Sequence, residues 1–192
     1  LLFKNHGPLA GASTMAHTHS DLIALPATPV RIKQKLYGAQ EYYSYKERCL
    51  FCDIIQQEIE MADRLIFQSD EFVVLAPYAS RFPFEILILP KRHCYTYKEI
   101  NDKEIKDLAK ALKKVCQAVY EILEDPPYNL ILCDSPNLLP KASYWATIRA
   151  DFHWHIEITP RMYRTTGFEL GTGFYINPIA PEKAAVMFRG QL

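Results

Sequence analysis

Apolar residues recur at helical spacing through Ile105, Leu108, Leu112, Val115, Val119, Ile122 and Leu123, the pattern of a long amphipathic helix packed on a sheet. Asn101, with Glu104 three residues on, is a capping-box start, and Asp125-Pro-Pro127 stops the helix. Around it the pattern shortens to strand-like runs. Glu71 to Ala76 and Phe84 to Leu89 are two apolar strands separated by Pro77 and a turn region, the second stopping at Pro90. Cys49 and Cys52 read as a turn leading into a short helix before them. Tyr128 to Cys133 and Asp151 to Thr159 supply a third and a fourth strand. The order β-β-α-β-β with short turns predicts an antiparallel α+β domain. Upstream, residues 1–26 read as a strand, a glycine-bearing loop (Asn5-His-Gly7 through Gly11-Ala-Ser13) and another strand. Residues 27–48, with Pro29 and a tyrosine-rich polar stretch, read as a connection with a helix around Ile32 to Tyr43. The resulting boundary near residue 46 divides the chain into 1–46 and 47–192.

One short pattern is written twice. His17-Thr-His19-Ser-Asp21 and His153-Trp-His155-Ile-Glu157 each place two histidines and a carboxylate at i, i+2 and i+4, which share a face if the backbone is extended. Both are followed by apolar residues and a proline, as in two copies of one domain plan. Beside the first pair, Gly7, Gly11, Ala12 and Ser13 can form a nest of backbone N–H groups for a phosphate. A neutral imidazole there is a competent nucleophile toward phosphorus. His155 and Glu157 of the second pair read equally well as site residues or as hydrogen-bonded groups under the sheet.

Composition narrows the function classes. Lys+Arg and Asp+Glu balance at 22 each over 192 residues, so no general basic field points to nucleic acid. No apolar stretch approaches the roughly 18 residues of a membrane span, and no signal-peptide layout opens the chain, so a cytoplasmic protein is expected. The strand-like start without an initiator methionine reads as a chain whose front is absent. Five cysteines, an odd number, argue against a disulfide framework. Cys49 and Cys52 form a CxxC pair outside the βαβ setting of a redox motif. With His93 after a strand end and His153 in the second histidine pattern they make a Cys2His2 set for Zn2+, the other reading being reduced cysteines near unrelated histidines.

Taken together, Phe3-Lys-Asn5-His-Gly7, Gly11-Ala-Ser13, His17-Thr-His19-Ser, Asp125-Pro-Pro-Tyr-Asn129, Phe152-His-Trp-His155 and the run from Gly167 to Pro178 resemble the galactose-1-phosphate uridylyltransferase family of the histidine-triad superfamily, near its branch with plant ADP-glucose phosphorylase. The resemblance implies a histidine-triad-like fold, with residues 1–46 ending a first half and 47–192 forming the second. It implies a nucleotidyltransferase that moves a nucleoside monophosphate between a nucleotide sugar and a hexose 1-phosphate. His19 would be the nucleophile that carries the nucleotidyl group. His17 would be a zinc ligand, Phe3, Asn5, Gly11, Ser13 and Asp21 would line the nucleotide and phosphate pocket, and Glu169 would bind sugar hydroxyls. A zinc at Cys49, Cys52, His93 and His153 and a homodimer follow from the same likeness.

The sequence also departs from the family. Asp21 stands where the family usually has a glutamine that bonds phosphoryl oxygens, Thr18 replaces a proline, and the Gly11 to His17 spacing is one residue longer. A lysine that some members use on the sugar phosphate has no counterpart. An ADP-glucose phosphorylase or nucleotidyl hydrolase using the same histidine is therefore a second expectation, and a catalytically silent zinc-binding dimerisation domain is a third.

Overall fold

The computed structural model describes residues 1–12, 17–138 and 142–191. In chain order the elements are β1 (Leu2–His6), β2 (Asp21–Leu22), α1 (Val30–Lys46), α2 (Leu50–Met61), β3 (Leu65–Gln68), β4 (Phe72–Leu75), β5 (Ile86–Pro90), α3 (Asp102–Leu123), β6 (Tyr128–Cys133), α4 (Ile148–Asp151), β7 (His155–Pro160), α5 (Gly167–Thr172) and α6 (Pro181–Arg189). Among the described residues the strands form one antiparallel sheet in the order β2-β1-β6-β7-β5-β4-β3. The α+β expectation holds.

Strand alternation sorts the side chains onto two faces. Trp154, Ile156 and Ile158 enter a core with Val115, Ala118 and Val119 of α3 and Ala184, Ala185 and Phe188 of α6. The opposite face, with Val73, Leu75, Leu87, Leu89 and Cys133, is covered by Ile32, Leu36 and Ala39 of α1 and by Phe51 and Ile55 of α2. Each fully buried large side chain contributes roughly 1.5–3 kcal/mol, so both layers are needed to hold the sheet. His155, Glu157 and Thr159 alternate with the apolar set and so lie under α1 and α2. The start of α3 is as read. Asn101 Oδ1 accepts from the amides of Lys103 and Glu104 at 3.0 Å each, and Glu104 Oε2 accepts from the Asn101 amide at 2.9 Å.

Several expected boundaries move. The strand expected from Asp151 begins at His155, because Ile148–Asp151 closes a helical turn in which the Phe152 amide bonds the Ile148 carbonyl. The expected first histidine strand shrinks to Asp21–Leu22: Lys4 Nζ donates to Thr18 Oγ1 and to the His19 carbonyl, a side-chain anchor in place of a ladder. CxxC is no turn before a helix, since Cys49 caps α2 and Cys52 lies in its first turn. The helix expected over Ile32 to Tyr43 runs from Val30 to Lys46. β3 escaped the sequence reading because it is short, lies at the sheet edge and fully buries only Ile66.

Residues 1–46 are built into the same sheet. β1 pairs with β6 over five residues, and the register is symmetric about the Phe3–Ile131 pair: Asp21 sits one strand outward from Phe3, and Glu157 one strand outward from Ile131. The repeated sequence pattern is thus laid out as a pseudo-twofold in the sheet.

Candidate active site and metal centre

The CxxC cysteines and two histidines converge. The ligand atoms of Cys49, Cys52, His93 and His153 all lie within 4.8 Å of one another. Cys52 Sγ is 3.3 Å from His93 Nδ1 and 3.7 Å from His153 Nδ1. Each histidine is oriented from behind. His93 Nε2 bonds the Arg149 carbonyl and His153 Nε2 the Pro90 carbonyl, both at 2.9 Å. A carbonyl only accepts, so both Nε2 atoms carry the proton and both Nδ1 lone pairs face the sulfurs. This is the arrangement a tetrahedral divalent ion needs, and the donor set fits one. A hydrogen bond from the Cys52 thiol draws the Cys49 thiol below its ordinary range against the cost of burial.

The two histidine patterns share a local geometry. His19 Nδ1 bonds the His17 carbonyl at 3.0 Å, and His155 Nδ1 bonds the His153 carbonyl at 2.9 Å. In both, Nδ1–H donates to the carbonyl two residues back, which leaves the Nε2 lone pair for other work. The surroundings then diverge. His19 is exposed, whereas His155 is buried under α1 with Lys35 Nζ 2.7 Å from its Nε2. Lys35 Nζ also lies 2.5 Å from Glu157 Oε1 and 3.4 Å from Cys133 Sγ. Cys133, His155 and Glu157 are close enough to hold an ion, and the lysine ammonium already sits among them. Arg81 flanks Glu157 on its other oxygen at 3.3 Å and clasps the buried Glu85. Burial first, and then the Lys35 charge, pushes the His155 imidazole down to about 3, so it is neutral. Burial pushes the Glu157 carboxyl up, but Lys35 and Arg81 prevail and hold it near 2.

A cleft of about 380 Å³ opens between α1 and the sheet, with Phe3, Asn5, Asn129, Lys35, Arg81 and Glu157 among its walls. Phe3 and Asn5, both expected at the nucleotide, are therefore together. Gly11 adjoins them, with Asn5 Nδ2 3.5 Å from its carbonyl. Two amides of the expected nest are used within the turn itself, Gly11 on the Pro8 carbonyl at 3.0 Å and Ala12 on the Gly7 carbonyl at 3.2 Å. Ser13 lies outside the described residues. His17 is exposed, its Nδ1 3.2 Å from the Thr18 carbonyl, and it joins no metal-ligand group among the described residues. Asp21 is half-buried on β2, and neither it nor His19 lines the cleft. Glu169 is buried and occupied by its own chain, Oε2 taking the Thr166 amide at 2.8 Å and Oε1 the Ile176 amide at 3.4 Å.

Sequence reasoning missed Lys4, Lys35, Arg81 and Asn129. Lys4 and Lys35 are charges whose partners are set by tertiary packing, as is the contact of Arg81 with Glu157. Asn129 carried a signal, since it ends the Asp125-Pro-Pro-Tyr-Asn129 motif.

A model of the galactose-1-phosphate uridyl transferase C-terminal domain matches residues 34–184. The chain belongs to this family. The ADP-glucose phosphorylase of Arabidopsis thaliana is 37% identical over 188 residues, covering 98% of this chain and 50% of that protein. A family relative named galactose-1-phosphate uridylyltransferase, from Thermotoga maritima, is 34% identical over 196 residues, covering 98% and 58%. The chain thus spans about half the length of the relatives it matches. A crystal structure of an ADP-glucose phosphorylase from Arabidopsis thaliana with bound ADP-glucose superposes with a TM-score of 0.86 at 35% identity, covering 98% of this chain and 56% of that one. A hypothetical histidine triad nucleotide-binding protein from Sulfolobus tokodaii superposes at 0.52 and 18% identity, over 74% of this chain and 91% of its own. That is a likeness of fold, and it places the family's α+β sheet with the histidine-triad architecture. No helix among the described residues is long and apolar enough to cross a membrane.

Proposed function

We propose that the chain is the nucleophile-bearing part of a nucleotidyltransferase that moves a nucleoside monophosphate between a nucleotide sugar and a hexose 1-phosphate. The observation that carries this is His19: its ring is exposed, its Nδ1 is fixed on the His17 carbonyl, and its Nε2 is therefore the basic nitrogen. In the reaction, Nε2 attacks the α-phosphorus of the nucleotide sugar as the bond to the bridging oxygen breaks. Hexose 1-phosphate leaves with that oxygen, and the nucleotidyl group stays on Nε2 until an acceptor phosphate oxygen displaces it. Phe3 and Asn5 supply cleft wall to the nucleotide. The half-buried Asp21 stands where an amide would serve the phosphoryl oxygens better.

Zinc is the ion proposed for Cys49, Cys52, His93 and His153, where four protein donors leave no position open and the metal's contribution is structural. The symmetric register about Phe3 and Ile131 supports the reading of residues 1–46 as the end of one histidine-triad-like half and 47–192 as the next. His17 and Ser13 would then find their partners in that first half. We also propose a cytoplasmic homodimer, in which Glu169 would serve the sugar after exchanging its present amide partners.

A phosphorylase, with inorganic phosphate as the acceptor, is the second reading, and the 37% identity to an ADP-glucose phosphorylase favours it. Exchange of labelled glucose 1-phosphate into UDP-glucose or ADP-glucose, with no other acceptor present, tests the shared first step. Exchange that disappears in His19→Ala is the expected result; wild-type protein without exchange contradicts the reading.

A further inference from the structure

The motif Asp125-Pro-Pro127-Tyr-Asn129 has no role in the proposed reaction, yet four of its residues close on the Asn5-His-Gly7 segment. Asp125 Oδ1 is 2.8 Å from His6 Nε2, and the Tyr128 ring stacks on His6 with centroids 4.8 Å apart. Gly7, at φ +76, comes so near Pro127 that a Cβ there would lie 2.9 Å from the proline Cβ, so no side chain fits. Asn129 Nδ2 donates to Asn5 Oδ1 and to the Ala10 carbonyl, both at 2.8 Å. Consecutive left-handed residues, Glu124 at φ 55 and Asp125 at φ 57, turn the chain from α3 into this clasp.

The Asn129 contacts fix more than position. The Ala10 carbonyl can only accept, so the end of the Asn129 amide that faces it is the NH2 group. That NH2 also faces Asn5, so the Asn5 amide must turn its oxygen toward Asn129. Its nitrogen is left on the side of the Gly11 carbonyl, 3.5 Å away and too long for a strong bond. Asn5 and Asn129 are register partners on neighbouring strands and both line the cleft.

We propose that Asn129 is a positioning residue for the nucleotide site: it sets which end of the Asn5 amide the cleft presents, so that Asn5 offers N–H donors to an acceptor oxygen, such as a ribose hydroxyl or phosphate oxygen. This rests on the nucleotide reading of the Phe3–Asn5 cleft. Asn129→Asp reverses the logic. A carboxylate cannot donate, so Asn5 turns its NH2 to Asp and its oxygen to the ligand.

The test is a double-mutant cycle on binding of ADP-glucose and UDP-glucose, measured by calorimetry, with the Asn5 side-chain amide followed by NMR in ligand-free protein. Asn129→Asp should weaken binding roughly ten- to hundred-fold. In the Asn5→Ala background the same change should have an effect of under about twofold, because the residue it acts through is gone. Asn129→Ala, which adds no charge, carries the cycle if the aspartate variant does not fold. The NMR arm should show the Asn5 amide fixed in wild type and inverted in Asn129→Asp. Equal losses in both backgrounds, or an amide that does not turn, overturn the assignment. Wild-type protein that binds neither nucleotide sugar, while the Asn5 amide is fixed in it and inverts in Asn129→Asp, overturns the nucleotide reading instead.

Discussion

His19 and His155 make the same hydrogen bond, Nδ1 to the carbonyl two residues back, at 3.0 and 2.9 Å, and differ in what meets Nε2. Solvent reaches the first, and Lys35 Nζ closes the second at 2.7 Å. One repeated motif therefore yields an imidazole open to solvent and another that meets Lys35 of α1 under the sheet. Nucleotidyl transfer should survive His155→Gln and fail in His19→Ala, as read by the isotope exchange described above.

Lys35 stands between His155, Glu157 and Cys133, and removing it leaves a partly buried carboxylate with Arg81 alone. Lys35→Met keeps most of the aliphatic stem and loses the charge. It should destabilise the fold by about 3 kcal/mol in urea unfolding. A change within about 0.5 kcal/mol would show that the lysine is incidental to the packing of α1.

Acid should weaken the fold before its carboxylates as a class begin to protonate. His155 is neutral in the folded chain, its pKa near 3, while an unfolded histidine titrates at about 6.5. Between those values the unfolded chain takes up a proton that the folded chain refuses, so this contribution is complete above about pH 6.5 and declines as pH falls. At pH 5.5 the loss from this group is about 1.4 kcal/mol. Glu157, held near 2, acts in the same direction below its unfolded pKa of about 4.5. Unfolding midpoints followed from pH 8 to pH 4 should fall across the histidine range, and the fall should be shallower in His155→Gln.

Zinc at the four convergent donors should leave when one of them is removed. Cys49→Ser should purify with about one metal equivalent less, and chelation of wild type should lower its melting temperature. Retained zinc in the variant would mean that the ligand set is different.

Asp21→Gln should accelerate nucleotidyl transfer, because an amide can donate to a phosphoryl oxygen that a carboxylate repels. A donor of this kind is worth about 2–4 kcal/mol in the transition state, so the gain should be tenfold or more. An unchanged rate would place Asp21 away from the phosphate.

The sequence made α3 legible because propensity, periodicity and the Asn101–Glu104 cap agree there. The convergence of Cys49, Cys52, His93 and His153 was legible too, since CxxC spacing restricts the geometry even though His93 and His153 lie far along the chain. The first histidine segment was misread as a strand. Its Lys4 anchor is a tertiary contact, and alternation alone cannot tell extended loop from ladder. Lys35 was invisible for a related reason. On α1 it looks like one of several solvent-facing lysines, and only the docking of that helix over β7 turns it toward His155. Asn129 was visible as the end of a motif, but its partners at Asn5 and Ala10 lie more than a hundred residues away and were not.

The central claim is that His19 carries the nucleotidyl group. Intact-mass spectrometry after mixing the protein with UDP-glucose or ADP-glucose, quenched so that phosphohistidine survives, reads this directly. One nucleoside monophosphate adduct, present in wild type and His155→Gln and absent in His19→Ala, is the predicted result and names the base as well. Folded, zinc-loaded protein that gains no adduct from either donor would contradict it.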